Sequence, residues 1–321
     1  MGIKKLSKYI IEDNLDSSIN LNNLAYKKVA IDISVLLYQI IISIRNSGDD
    51  LRNNKGDVTS HILGLFNKSV WLISNNILPV FIFDGVPPDF KNNTIQTRRD
   101  IKKKAYEKLQ ACDNEKDRIK YLKRTTTITK KQIEESKELL SLMGIPYLQA
   151  KGEADILCAK LCEKNIVDFV LTEDMDILTF GASRIIKNIF RKGNIKVIQK
   201  LAILKKYDIT YKQFIIFCII LGCDYHHINL KCSKTQALEL SKKYVFGNNI
   251  IFENRKIPFE LVKLIFDYFY DNKQYDDFDY TIQLSTPSPD LLNILVKKYC
   301  LIKKKIYWKV NLLNKSIKKL L

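Results

Sequence analysis

Acidic residues stand at the ends of three short apolar segments of this 321-residue chain. Asp32, Asp84 and Asp174 lie at or near the carboxyl ends of these segments, and Asp176 follows directly. The segments are rich in β-branched and aromatic residues, as buried strands are. Because the carboxyl ends of parallel strands meet at one crevice, we expect these acids to lie together where a ligand binds.

Three further acids stand at helix termini in the predicted pattern. Glu153 and Asp155 open a predicted helix over 152–164, and Asp224 follows the end of another helix. Clustered carboxylates repel unless cations neutralise them. Oxygen ligands without His or Cys favour Mg²⁺ or Mn²⁺, and two such ions can clamp both oxygens of a phosphodiester. The simpler alternative is a set of surface capping acids, against which the apolar flanks and the order of all seven acids argue.

Two segments carry the whole net charge of +18. Residues 91–131 contain 14 Lys and Arg against 5 acids, and residues 297–321 contain 9 Lys and no acid. The remaining chain has 30 basic and 30 acidic residues and is neutral. Two basic segments suit a polyanion, most simply nucleic acid, although a pair of solvated helices is the alternative.

Strand patterns alternate with helical patterns along the chain. Helical spacing over 59–76, 130–143 and 152–164 separates the apolar segments, which predicts an α/β fold with a mostly parallel sheet. Residues 91–131 are expected to form one or two exposed helices, and residues 246–254 a loop. No stretch reaches the ~20 apolar residues of a membrane span. Seven scattered cysteines without a C-x-x-C pair predict a reduced, soluble, intracellular protein.

Together these motifs resemble the flap endonucleases of the structure-specific 5′ nuclease (XPG) family. The resemblance covers nearly the whole chain and rests on residues 1–3, 30–39, 59–64, 83–88, 141–147, 152–155, 172–181 and 221–225. It implies a PIN-like α/β fold with a helical arch and a degenerate helix-two-turn-helix. It further implies a metal-dependent phosphodiesterase that cuts branched DNA at 5′ single-stranded flaps, with 5′→3′ exonuclease activity, in replication, repair or recombination.

The resemblance also implies roles for single residues. The metal-site acids are Asp32, Asp84, Glu153, Asp155, Asp174, Asp176 and Asp224, with Asp155 standing where the family usually has Glu. Two Mg²⁺ ions, which Mn²⁺ can replace, are implied. The catalytic candidates are Lys91, Arg98 and Asp174, and the DNA-binding candidates are Gly2, Tyr38, Arg45, Lys91, Arg98, Lys231 and Lys234. Simpler roles are also open for three of these residues. Lys91 and Arg98 could make only generic contacts with phosphate, and Tyr38 could be a core residue.

The resemblance divides the chain at about residue 255. Residues 1–255 would form the nuclease core, with an arch at about 89–131 that the single strand threads and a helix-two-turn-helix-like region at about 221–245. Residues 256–321 would form a helical extension that packs on the core and ends in a Lys-rich tail. This tail is expected to help retain DNA by its charge.

The chain departs from the family after Asp224. Lys231 and Ser233 occupy the places of glycines in the hairpin that holds K⁺ and grips the duplex. Because glycine lets the backbone approach phosphate closely, this departure argues against K⁺ binding and the usual grip, although the charges of Lys231 and Lys234 can compensate. The neighbouring His226 and His227 lack an evident third ligand and are not expected to bind metal. No Gln-x-x-Leu-x-x-Phe-Phe pattern is present, which argues against docking on a sliding clamp.

Two other functions remain open at this point. A junction- or bubble-cutting nuclease of the same family is one, and the long arch argues against it. A catalytically silent, structure-specific DNA-binding protein is the other, and it predicts the loss of at least one of the seven acids. We expect a monomer that acts at intracellular sites of DNA replication, in the nucleus of a eukaryote or in the cytoplasmic factory of a DNA virus.

Overall fold

The computed structural model describes residues 2–86, 92–191, 193–226, 228–271, 275 and 280–321, without the side chains of 92–95, 97 and 98. Its strands are β1 Asp16–Ile19, β2 Lys28–Asp32, β3 Leu78–Phe83, β4 Tyr147–Gln149, β5 Phe169–Leu171, β6 Arg184–Lys187, β7 Ile195–Gln199, β8 Ile250–Phe252 and β9 Arg255–Ile257. Its helices are α1 Leu6–Glu12, α2 Ile33–Arg45, α3 Ser60–Ser74, α4 Asn92–Gln110, α5 Glu115–Arg124, α6 Lys130–Leu142, α7 Ala154–Glu163, α8 Asp176–Thr179, α9 Lys200–Tyr207, α10 Tyr211–Leu221, α11 Lys234–Lys243, α12 Phe259–Tyr270, α13 Leu291–Lys297 and α14 Lys303–Leu320.

The chain forms two compact units, each assembled from separate stretches of sequence. The first unit comprises residues 1–23, 85–90 and 150–280, and the second comprises 24–84, 91–149 and 281–321. Each unit contains some of the predicted acids. The boundary at about residue 255 stays a prediction.

In the first unit the strands follow the order β1-β7-β6-β5. Strands β5 and β6 are parallel, whereas β7 runs antiparallel to both β6 and β1. Helix α10 contributes an almost uninterrupted apolar sequence to this unit, and every residue from Phe214 to Leu221 is buried. A helix that is apolar all round belongs in a core, so α10 forms the centre of the first unit.

In the second unit β2, β3 and β4 are neighbours and all parallel. Ala30 stands beside Val80, and Ile82 stands beside Leu148. Because both faces of β2 and β3 are buried, their sequences are continuously apolar rather than alternating. Helix α3 leads into β3, and α6 leads into β4. This arrangement places Asp32 at the end of β2 and Asp84 just after β3.

The structure agrees with the expected mixed, mostly parallel sheet flanked by helices. The predicted helices near 59–76, 130–143 and 152–164 are confirmed as α3, α6 and α7. The prediction of a loop over 246–254 is wrong, because β8 pairs antiparallel with β9 in a short hairpin. Glu253, in the left-handed region at φ 51°, lies in the connection. Three-residue strands are too short for an alternating pattern to reveal them.

The basic segment forms two helices, as expected. Helix α5 has no buried residue, and the Asn114 side chain caps it by accepting a hydrogen bond from the backbone N–H of Asp117 at 2.8 Å. Lys108 of α4 lies 6.0 Å from the ring centroid of Tyr121 on α5. The segment is therefore an exposed helical pair within the second unit. Lys91 lies outside the described residues.

The C-terminal helix α14 packs on α3 in the second unit. Ile306, Val310, Leu313 and Ile317 form its buried stripe, and Lys309 Nζ donates to Asn67 Oδ1 at 2.6 Å. The other face carries exposed lysines. This division explains how a segment with nine lysines and no acid still folds as part of the unit. Within the described residues, no helix has both the length and the apolar character that crossing a bilayer demands.

A buried histidine on α3 makes the stability of the second unit depend on pH. His61 is completely buried, and its Nε2 lies 2.9 Å from Glu135 Oε2 on α6. Burial, assisted by the charge of Lys131, lowers the pKa of His61 from 6.5 to about 4. Burial raises the pKa of the Glu135 carboxyl. The folded protein therefore holds His61 neutral at pH values where the unfolded chain protonates it.

We predict that His61 destabilises the fold as the pH falls from about 6.5 towards about 4. The folded pKa is depressed, so the stabilisation is complete above the unfolded pKa and is lost below it, at up to about 1.4 kcal/mol per pH unit. Urea unfolding at half-unit pH steps measures this slope. Since the raised pKa of Glu135 acts in the opposite direction, the comparison is with His61→Asn, whose slope should be smaller. Equal slopes in the two proteins would contradict the prediction.

Candidate functional site

Two of the predicted acids share a serine in the second unit. Asp32 is 8% exposed and caps α2, with its Oδ1 accepting hydrogen bonds from the N–H groups of Ser34 at 2.7 Å and Val35 at 3.2 Å. Ser34 Oγ donates to Asp84 Oδ2 at 2.6 Å. The serine thus binds one carboxylate through its backbone and the other through its side chain. The helix N-terminus favours the negative charge of Asp32.

The other five acids belong to the first unit, in three places. Glu153 and Asp155 stand at the start of α7, Asp174 and Asp176 follow β5, and Asp224 follows α10. The backbone N–H of Asp176 donates to Asp174 Oδ1 at 3.2 Å, and that of Asp174 donates to Thr172 Oγ1 at 3.0 Å. The loop after β5 therefore fixes the Asp174 carboxylate by one of its own backbone N–H groups, and Thr172 fixes the backbone at Asp174.

The N-terminus of the chain lies against this loop. Gly2 has φ +87°, and a Cβ on it would overlap Asp174 Oδ1 and lie 2.5 Å from Asp176 Oδ1. The backbone N–H of Lys4 donates to the carbonyl of Gly222 at 2.8 Å, next to the segment that carries Asp224. Only glycine leaves room for the backbone here. The structure thus brings the predicted Gly2 together with Asp174 and Asp176.

A second glycine allows a close approach beside Glu153. A Cβ on Gly85 would overlap the carbonyl oxygens of Ala150 and Lys151. The N–H of Gly85 donates to the carbonyl of Gly152 at 2.6 Å, and that of Val86 donates to the carbonyl of Lys151 at 3.2 Å. These two bonds attach the segment just before Glu153 to Gly85 and Val86.

Two tyrosines hold Glu153 in the first unit. The hydroxyl of Tyr268 donates a short hydrogen bond to Glu153 Oε2, and the hydroxyl of Tyr225 lies 3.5 Å from the same oxygen. Burial raises the pKa of both phenols, and the charges of Glu153 and Asp155 raise it further. Both tyrosines therefore stay protonated and remain donors. Burial and the nearby Asp176 and Asp224 likewise raise the pKa of the Cys223 thiol to about 12.

No three His, Cys, Asp or Glu side chains among the described residues converge on a single metal position. Several of these acids instead accept hydrogen bonds from backbone N–H groups and hydroxyls. Their donor chemistry fits a hard cation, because every candidate ligand is a carboxylate oxygen. Gly2 has no space for a Cβ, so its backbone lies directly against two of these carboxylates. This close approach is consistent with a functional site at these acids.

The predicted DNA-binding residues have different surroundings. Tyr38 is half-buried on α2, with part of its ring exposed to solvent. Arg98 belongs to α4, and its side chain lies outside the description, as does Lys91. Lys231 is exposed in the left-handed conformation at φ 57°. These roles stay predictions.

Lys234 makes an ion pair inside the first unit. Its Nζ lies 2.7 and 2.8 Å from the two carboxylate oxygens of Asp13, and Tyr207 donates to the same carboxylate at 2.7 Å. Burial opposes ionisation of Asp13, but the bonds to Lys234 and Tyr207 leave its pKa below the ordinary value. Lys234 therefore attaches the start of α11 to the end of α1. His226 is buried, with its Nε2 2.9 Å from the Ile219 carbonyl oxygen, and His227 lies outside the described residues.

Arg45 is engaged within the second unit. Its Nε and Nη2 donate to the two oxygens of Asp50 at 2.9 and 2.8 Å, and its Nη1 donates to the Leu122 carbonyl and Thr126 Oγ1, both at 2.9 Å. The side chains of Arg45 and Asp50 are 14% and 9% exposed. The guanidinium thus connects the end of α2 to the end of α5. Its predicted contact with DNA stays a prediction.

Three residues at these sites were not predicted from the sequence. Of the three, only Ser34 could have been predicted from a local sequence pattern, because Asp-x-Ser at the start of a helix is a capping pattern. Tyr268 and Asp50 carry no local signal. Tyr268 reaches Glu153 across 115 positions, and Asp50 stands in a polar stretch like any other acid.

Family models match two parts of the chain. The XPG N-terminal domain matches residues 1–105, and the XPG I-region matches residues 144–224. Flap endonuclease 1 of Naegleria gruberi is 35% identical over 283 residues, which cover 83% of this chain and 73% of the relative. Flap endonuclease 1 of Glossina morsitans morsitans is 39% identical over 254 residues, which cover 76% and 66%.

A solved structure agrees with these matches. Flap endonuclease-1 from Methanococcus jannaschii has a TM-score of 0.72 at 31% identity, covering 95% of this chain and 96% of that chain. The fold and the matches define a structure-specific nuclease with a PIN-like sheet, which confirms the expected fold class. The chain belongs to the XPG family and, within it, to the flap endonucleases.

We predict that Gly2→Ala lowers DNA cleavage about 100-fold, because the added Cβ displaces Asp174 and Asp176. Gly56→Ala is the matched control. Gly56 has a similar φ of +84° but no atom within 4 Å of the added Cβ, so it adds the backbone strain without the overlap. Initial cleavage rates on a 5′ flap substrate measure the effect. Equal rates for the two variants would show that contact with the carboxylates is unimportant.

We predict that Arg45 acts mainly by positioning α5. Arg45→Met should lower the free energy of unfolding by about 3 kcal/mol, because Asp50 stays buried without its partner. Asp50→Asn should reproduce the effect and should weaken binding of flap DNA as Arg45→Met does. Urea unfolding and DNA titrations measure both quantities. If Arg45 instead serves only as a DNA contact, Asp50→Asn will leave DNA affinity unchanged or raise it.

Proposed function

We propose that this chain is a divalent-metal-dependent 5′ flap endonuclease with 5′→3′ exonuclease activity, acting in DNA replication, repair or recombination. The observation that carries the proposal is the presence of all seven acids, with Gly2 held against Asp174 and Asp176. The similarity to flap endonucleases over most of the chain supports the substrate class. A silent DNA-binding protein has no need of this set of acids.

The proposed cofactor is Mg²⁺, with Mn²⁺ as a substitute and two ions in the working enzyme. Asp32 and Asp84 of the second unit, and the five acids of the first unit, would supply the ligands. When bound, divalent cations supply positive charge that stabilises the phosphodiester as its bond to the leaving oxygen breaks. We do not include K⁺ in the proposal, because Lys231 and Ser233 stand in the hairpin that would hold it.

The chain's own residues have definite tasks in this reaction. The N-terminus of α2 orients Asp32, and Ser34 orients Asp84. Tyr268 and Tyr225 restrict the rotation of Glu153. We propose that Lys91 and Arg98 neutralise the scissile phosphate, since a cation there stabilises the charge of the transition state. Tyr38 is proposed to stack on a base, which suits recognition of structure rather than sequence.

The two basic segments are proposed to bind the DNA backbone. The helices α4 and α5 supply cations for the single-stranded flap, and the exposed lysines of α14 supply them for the duplex. Each neutralised phosphate makes binding more sensitive to salt. The presence of both α4 and α5 favours a flap substrate over a four-way junction. We place this activity at sites of DNA replication.

The deciding experiment measures cleavage of a labelled 5′ flap, a nicked duplex and a four-way junction, each with Mg²⁺ or with EDTA. We predict cutting of the flap with Mg²⁺ and none with EDTA. Asp174→Asn should lower the rate at least about 1000-fold while binding flap DNA within about threefold of the original affinity. Asp208→Asn is the control, because it removes the same charge from the first unit at a carboxylate that is 96% exposed.

The outcomes separate the candidate functions. Cleavage of the junction in preference to the flap would assign the protein to the junction-cutting class. Tight binding to all substrates without cleavage, in Mg²⁺ and in Mn²⁺, would support the alternative that the protein binds DNA without cutting it. Retained cleavage by Asp174→Asn would show that the acids after β5 are not the metal ligands.

A further inference from the structure

The first unit contains a polar cavity of about 610 Å³ on its sheet. Seven of its ten lining residues have polar side chains and three are apolar, and none is acidic. Its volume lies in the range of sites that hold small ligands, and its lining is more polar than most of those sites. The lining includes Ser17, Asn20, Phe169, Arg184, Asn194 and Gln199.

The strand register explains why these side chains meet. Arg184 of β6 stands opposite Gln199 of β7, and Ser17 of β1 stands opposite Val197. Directly opposite residues, and residues two apart on a strand, share a face of a sheet. Since Val170 pairs with Ile185, Phe169 lies on this same face. The floor of the cavity is therefore one face of the strands β1-β7-β6-β5.

Arg184 is a half-buried cation on this floor without a neutralising carboxylate among the described residues. Its Nη2 donates to Asn165 Oδ1 at 2.9 Å, and its guanidinium lies 5.8 Å from the ring centroid of Phe169. Its Nε is buried without a hydrogen-bond partner in the part of the chain that the structure describes. Among the described residues, most of its five donors thus make no hydrogen bond to the protein. A guanidinium held in this way matches an oxyanion, above all phosphate or carboxylate.

The cavity lies away from the predicted acids of the same unit. Phe169 begins β5, whereas Asp174 comes three residues after that strand ends. Arg184 likewise begins β6, which runs parallel to β5. Ligands of the nuclease reaction are expected at the opposite, carboxyl ends of these strands. The cavity therefore has no part in holding the proposed metal ions.

We propose that this cavity binds the phosphate of a nucleotide, with Arg184 as the phosphate ligand. The side chains of Asn20, Asn194 and Gln199 offer donors and acceptors to the sugar and base, and Ser17 adds a hydroxyl. The exposed part of Phe169 provides an apolar surface. The nucleotide is either a free mononucleotide or one unit of a single strand, which present the same chemistry to this site.

The experiment measures binding to the full chain in EDTA, so that metal ions at the acids cannot recruit phosphate. The probes are deoxyadenosine 5′-monophosphate, deoxyadenosine, inorganic phosphate and a 5′-phosphorylated ten-residue oligothymidylate. Isothermal titration calorimetry measures the affinity for each. Arg184→Met should lower the affinity for the mononucleotide about 10- to 100-fold, as expected for loss of a charge-assisted hydrogen bond. Lys205→Met is the control, because it removes the same charge from an exposed position of α9.

The probes distinguish the source of the nucleotide. Mononucleotide binding that exceeds deoxyadenosine binding, and that Arg184→Met alone weakens, supports a site for free nucleotide. A selective loss of oligothymidylate binding supports a strand contact at the same residue. Equal binding of every probe by Arg184→Met and Lys205→Met overturns the proposal. Thermal unfolding, followed by circular dichroism, confirms that Arg184→Met is folded, and Arg184→Lys serves as a conservative variant if it is not.

Discussion

Repulsion between carboxylates is the constraint on which the rest of this structure depends. Acidic side chains close together raise each other's free energy unless hydrogen bonds or cations compensate. Several of the acids here accept hydrogen bonds from nearby residues. The N-terminus of α2 donates to Asp32, Ser34 donates to Asp84, and the N–H of Asp176 donates to Asp174. These three acids are thus held locally, before any cation adds its charge.

The distribution of charge along the chain follows from the same constraint. A protein that binds a polyanion needs excess positive charge, but lysines beside the acids would pair with them and occupy their oxygens. The excess lies instead in 91–131 and 297–321. Arg45 shows how one such segment is attached: its donors go to Asp50 and to the end of α5. The lysines of that segment can then remain exposed to solvent.

The elements that position the acids could be predicted because they are buried on both faces. Continuous apolar sequence revealed β2 and β3, and helical spacing revealed α3, α6 and α7. Strand β1 was not predicted, because its Asp16-Ser17-Ser18-Ile19 sequence is mostly polar. Its extended conformation is stabilised by pairing with β7, which is distant in sequence. The motifs singled out seven acids, whose role as metal ligands stays a prediction. Their supports, Ser34 and Tyr268, depend on contacts between distant parts of the sequence, and no local pattern specifies those.

The segment after Asp224 carries Lys231 and Ser233 where the resemblance to the family implies glycines. Lys231 keeps the left-handed conformation that glycine adopts without strain, at a cost of about 1–2 kcal/mol, and its N–H donates to Asn229 Oδ1 at 2.9 Å. Ser233 caps α11 with Gln236 in a capping box. The backbone of the turn is therefore maintained by side-chain hydrogen bonds, while the Cβ of Lys231 prevents close approach of that backbone to phosphate. Any contact of this turn with DNA must then come from side-chain charge, which salt screens more strongly than a backbone contact at close range.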